Sequence, residues 1–66
     1  MRLTVNGEDR DFGQIGSLAD LVARLGLEPR KVAVELNLAI VPRSVYGRTV
    51  LAEGDRVEIV HFIGGG

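Results

Sequence analysis

The 66 residues suffice for one small domain with one core, and the composition, 45% apolar and 26% charged, reads as globular rather than disordered. A net charge of −1, scattered basic residues and only two Phe and one Tyr exclude a nucleic-acid footprint, which needs clustered Lys and Arg beside stacking aromatics. The absence of cysteine excludes a disulfide framework, a thiolate nucleophile and the usual zinc clusters.

The chain opens with Met1-Arg2-Leu3-Thr4-Val5-Asn6, polar by its sixth residue, which predicts neither export nor membrane insertion and a cytoplasmic location. Leu3 and Val5 alternate with Arg2, Thr4 and Asn6, the pattern of a half-buried strand. Asn6-Gly7 then supplies a hairpin signal, because both residues tolerate positive φ. A weaker return strand is expected over Asp9 to Phe12. Glu8, Asp9 and Asp11 cluster there, and a polar turn explains them without a metal.

Ser17 with Asp20 three residues on predicts a capped helix start. Leu18, Leu21, Val22 and Leu25 follow as one apolar stripe, and Gly26 suits the left-handed position after the last turn, with Leu27 folding back on Val22. Pro29 ends the helical reading. Val32, Val34 and Leu36 alternate with Ala33 and Glu35 as a third strand; residues 37–47 read as irregular, punctuated by Pro42 and Gly47. A short strand is expected over Thr49 to Leu51. After the turn Glu53-Gly54-Asp55, a β-branched strand runs from Arg56 to Phe62. One helix must cover one face of a mixed, four- to five-stranded sheet, an α+β roll.

Side-chain catalysis finds little material. His61 is the one histidine, and a lone histidine builds no metal site; its alternation with Val57 and Ile59 places it at the edge of the core or at an interface. The run Gly64-Gly65-Gly66 is no phosphate loop, since no helix follows it. Two readings remain for it: a frayed terminus or linker scar, or a reactive C-terminus. The second draws on its position directly after the last strand. Residues 1–63 form the domain in this reading, and 64–66 a flexible tail. Three extended glycines reach about 10 Å, lack Cβ atoms that would block a narrow tunnel, and end in an unhindered acyl group. With Val57, Ile59 and His61 facing the helix, Glu58, Val60 and Phe62 face outward beside Ala33 and Glu35. Val60, Phe62 and Ile63 thus mark a partner-docking patch. A register slip that turns Phe62 inward is the competing reading.

Val32-Ala33-Val34-Glu35-Leu36-Asn37, then Ile40-Val41-Pro42-Arg43, then Gly54-Asp55-Arg56-Val57-Glu58-Ile59-Val60 and the final Gly64-Gly65-Gly66 together resemble the ThiS family, the sulfur carriers of thiamine thiazole synthesis. The likeness spans essentially the whole chain, departing at the apolar Leu38-Ala39 segment and the first hairpin. It implies a β-grasp, ubiquitin-like fold and a non-enzymatic role. It also implies that a ThiF-type adenylating enzyme activates the Gly66 carboxylate with ATP and magnesium, while the carrier itself binds no cofactor tightly. A cysteine desulfurase or relay protein would then supply sulfur, and the resulting thiocarboxylate would pass it to a ThiG-type thiazole synthase. Gly65 and Gly66 carry over directly and Gly64 fits the three-glycine variants. Arg43 anchors its loop or meets a partner's acid. The rival readings are a MoaD-like or tRNA-thiolation carrier, or a ubiquitin-like modifier or interaction module.

Overall fold

In the computed structural model, which describes residues 1–63, Asn6 and Gly7 take left-handed backbone with φ of 50° and 81°. The two-residue turn they make folds β1 (Arg2–Val5) against β2 (Glu8–Asp11) in an antiparallel hairpin. β2 consists of four exposed charged residues, a composition that discourages pairing with other chains at a sheet edge. The return strand therefore starts one residue earlier than expected and stops before Phe12, whose ring turns inward and is buried.

The helix follows its sequence signals. α1 (Leu18–Arg24) begins at a capping box, with Ser17 accepting the Asp20 N–H at 3.2 Å and Asp20 accepting the Ser17 N–H at 2.9 Å. That bond from the Ser17 backbone holds the Asp20 carboxyl below the usual carboxylate range. At the other end Gly26 adopts φ 73°, its N–H bonds the Ala23 carbonyl, and the Leu27 N–H reaches the Val22 carbonyl at 3.1 Å. These two bonds satisfy carbonyls that the helix end would otherwise leave open. Leu18, Leu21 and Val22 are buried against the sheet. Beyond Pro29 the chain makes a short 3-10 turn, Pro29–Lys31, before entering β3 (Val32–Leu36).

Residues 37–47 are more ordered than their composition suggests. Asn37 and Leu38 form a second two-residue turn with φ of 51° and 73°, pairing β3 with β4 (Ala39–Val41). A leucine in left-handed backbone gives no hairpin signal, so β4 was legible only as irregular chain. A 3-10 stretch, Arg43–Arg48, follows and buries Tyr46. The strand expected over Thr49 to Leu51 does not join the sheet. Val50 instead bridges Ser17, and backbone bonds run from Leu18 N–H to the Thr49 carbonyl and from Leu51 N–H to the Gly16 carbonyl. This segment closes the helix N-terminus.

β5 (Arg56–His61) completes a five-stranded sheet of order β2-β1-β5-β3-β4, parallel between β1 and β5 and antiparallel elsewhere. α1 crosses one face, so the α+β roll holds. Leu3, Val5, Val34, Val57 and Ile59 meet Leu18, Leu21 and Val22 in the core, and no polar side chain is buried there among the described residues. No helix of the described residues is long and apolar enough to cross a membrane.

Candidate functional site

β5 ends two residues before the glycine run, so its surroundings set where Phe62 and Ile63 lie. The strand lies in the middle of the sheet, between β1 and β3. Its side chains alternate as expected: Val57 and Ile59 are buried under the helix, while Val60 is 61% and Phe62 44% exposed. The inward reading of Phe62 fails on this burial pattern. Ile63, at 96% exposure, stands clear of the core. Gly64, Gly65 and Gly66, with the flexibility expected of them, lie outside the described residues.

His61 shares the helix-side face with Ile59 but sits beyond the end of α1 and is exposed. It borders a hollow of about 280 Å³ lined also by Val5, Leu25, Leu27 and Ile59. It is therefore an edge histidine, not a core one.

Backbone geometry holds the strand on both sides. The Phe62 N–H donates to the Lys31 carbonyl at 2.7 Å, so the peptide groups of Val60 and Phe62 face β3. Those of Ile59 face the opposite way, toward the place where β1 has already turned off at Asn6. The Asn6 side chain fills the gap. Its Oδ1 accepts the Ile59 N–H at 2.7 Å and its Nδ2 donates to the Ile59 carbonyl at 3.2 Å, reproducing the bond pair a neighbouring strand would make. Asn37 does the same at the strand's start, accepting the Arg56 N–H on Oδ1 at 2.9 Å while its own N–H bonds the Arg56 carbonyl. Both asparagines are legible in the sequence as turn formers; nothing in the pattern signals their second role.

The outward face around Val60 is a shallow depression of about 130 Å³ lined by Ala33, Val34, Glu35, Ile40, Glu58 and Val60. Ile40, 79% exposed, joins it because β4 is a strand. At the other edge the acidic residues have structural partners. Asp9 pairs with Arg2 at 3.0 Å, and Asp11 accepts the Gly13 N–H, which with the nearby amino terminus lowers its pKa. Arg43 lies exposed at the start of its 3-10 stretch. Among the described residues no group of His, Asp or Glu could hold a metal ion. Val60, Phe62 and Ile63 are thus all exposed in the last residues before the glycine run, with Asn6 and Lys31 fixing the chain at Ile59 and Phe62.

Comparison with known proteins bears on this arrangement. The ThiS family model matches residues 3–66. The chain is 50% identical over all its 66 residues to a thiazole synthase of Paramagnetospirillum magneticum, of whose length it spans 20%. It is 40% identical to the sulfur carrier protein ThiS of Bacillus subtilis, covering 97% of this chain and 98% of that one. The crystal structure of the thiamine biosynthesis protein ThiS of Geobacter metallireducens superposes over the full length of both chains with a TM-score of 0.84 at 33% identity. The β-grasp expectation holds on that match.

Proposed function

The chain belongs to the ThiS family, and from that premise we propose that it carries sulfur for thiamine thiazole synthesis, charged at its final glycine rather than acting as an enzyme. In this reading a ThiF-type enzyme binds ATP and magnesium, and the Gly66 carboxylate attacks the α-phosphorus, expelling pyrophosphate. A persulfide on a cysteine desulfurase or a relay protein attacks the acyl-adenylate and expels AMP, and a thiol then attacks the S–S bond of the acyl persulfide, leaving a thiocarboxylate and a disulfide. A ThiG-type thiazole synthase then takes the sulfur. The similarity to one-fifth of a chain named thiazole synthase supports this last partner.

The observation that carries the reading is that pairing continues past β5 to Phe62, one residue short of the glycines, in a family match that continues through residue 66. The chain is clamped through Phe62, one residue short of the run, and glycines lack the side chains that would keep Gly64, Gly65 and Gly66 out of a narrow partner site. Val60, Phe62 and Ile63 supply the apolar area on which a partner docks.

Incubating the chain with the adenylating enzyme, ATP, magnesium, dithiothreitol and a cysteine desulfurase with cysteine should replace one oxygen by sulfur, read by intact mass and C-terminal fragmentation. Deleting Gly66 should abolish this exchange and leave the melting temperature unchanged. Sulfur loading of the shortened chain would overturn the proposal.

A further inference from the structure

We propose that the outward sheet face receives a basic side chain, from an otherwise apolar surface of the adenylating partner, between Glu35 and Glu58. This deepens the carrier reading and rests on it. Glu35 and Glu58 stand directly opposite each other on β3 and β5, on the same outward face. Like charges in that relation disfavour the sheet. Neither carboxylate has an ion-pair partner among the described residues. The ion pairs among the described residues, Met1 with Asp11 and Arg2 with Asp9, lie at the opposite edge, and no described side chain or backbone group donates a hydrogen bond to either glutamate.

Their setting converts this into a requirement on the partner. Both glutamates are half-buried residues beside Ile40 and Val60 at the rim of the 130 Å³ depression, and Val60 precedes Phe62 by two residues on the same face. A protein surface that covers Val60 and Phe62 must also strip water from Glu35 and Glu58. Removing water from two unpaired carboxylates opposes binding strongly, whereas one guanidinium or ammonium between them turns that loss into charge-assisted hydrogen bonds. An acidic or wholly apolar partner surface is therefore excluded. Apolar contacts beside the tail supply adhesion; the glutamate pair supplies orientation and partner choice.

The test uses ATP–pyrophosphate exchange by the ThiF-type enzyme, with the carrier as varied substrate, for the native chain, Glu35→Gln, Glu58→Gln and the double variant. The amides keep the side-chain shape, and circular dichroism with thermal melts verifies folding. At low ionic strength the double variant should show a KM about tenfold higher with kcat unchanged, and its KM should lose the salt dependence of the native chain. Glu58→Lys should raise KM further. A double variant whose KM stays within about twofold of native, or whose salt dependence matches it, overturns the proposal. Failure of the native chain to support exchange would overturn the carrier reading itself, a separate result.

Discussion

Replacing Asn6 with glycine removes the side-chain clamp on β5 while leaving the turn free to hold φ 50°. What is lost is the bond pair to Ile59, at 2.7 and 3.2 Å. Each such bond contributes about 0.5–1.5 kcal/mol net. Glycine's extra freedom in the unfolded chain adds up to about 1 kcal/mol, so Asn6→Gly should cost about 1–4 kcal/mol. In a domain of this size each kcal/mol moves the melting temperature by about 4–8 °C, and a fall of at least about 4 °C is expected. The local readout is sharper. On its β1 side the Ile59 N–H has Asn6 as its partner, so Asn6→Gly should speed hydrogen exchange at Ile59 beyond the global change, while Val60 and Phe62, paired to β3, follow global stability alone. An Ile59 amide that exchanges at the native rate, once corrected for global stability, would refute the claim that this side chain stands in for a missing strand.

Phe62→Asp should weaken activation by the adenylating enzyme by tenfold or more, measured as KM for the carrier, with only a small drop in melting temperature, because the ring is 44% exposed and outside the core. Leu38→Asn should raise the melting temperature by several degrees. It relieves a leucine held at φ 73°, a strain of about 1–2 kcal/mol, at a residue 79% exposed. The Asp20 carboxyl is held low chiefly by the Ser17 backbone N–H, so its contribution is full above the unfolded pKa near 3.8 and disappears as pH falls through the lower folded value. Asp20→Asn should therefore melt below the native chain at neutral pH, with the gap closing under acid conditions; a gap independent of pH would contradict the assignment.

The helix was legible in the sequence because its signals are local and agree with one another. Ser17, Asp20, the Leu18-Leu21-Val22 stripe and Gly26 each do what their spacing implies. The alternation of β5 was plain over Val57 to Val60, whereas Phe62 next to Ile63 left two registers open until its exposure decided between them. The β3–β4 hairpin was hidden because Leu38 holds a backbone conformation its side chain disfavours, and the cost is met by pairing that no local window contains. Thr49 to Leu51 misled for the opposite reason: extended, partly apolar chain can satisfy its backbone against a helix N-terminus as well as against a strand. Ile40 was lost from the docking face along with β4. The clamps at Asn6 and Asn37 join residues far apart in the chain, and such pairings leave no periodic trace.

These two asparagines explain how so small a core can hold a strand firmly to its end. β5 runs past the point where β1 leaves it, and an ordinary sheet would let the excess fray on that side. Each hairpin turn instead carries an asparagine in left-handed backbone, and each contributes its amide to the neighbouring β5 peptide, Asn37 at Arg56 and Asn6 at Ile59. A glycine at either position would make the same turn without the clamp, and an alanine would make neither cheaply. The turn residue is thus chosen by the strand it braces as much as by the hairpin it closes. In a protein read as delivering its final residue into another active site, bracing β5 limits the motion of the strand that carries Val60 toward a partner, and so reduces the ordering that docking must impose.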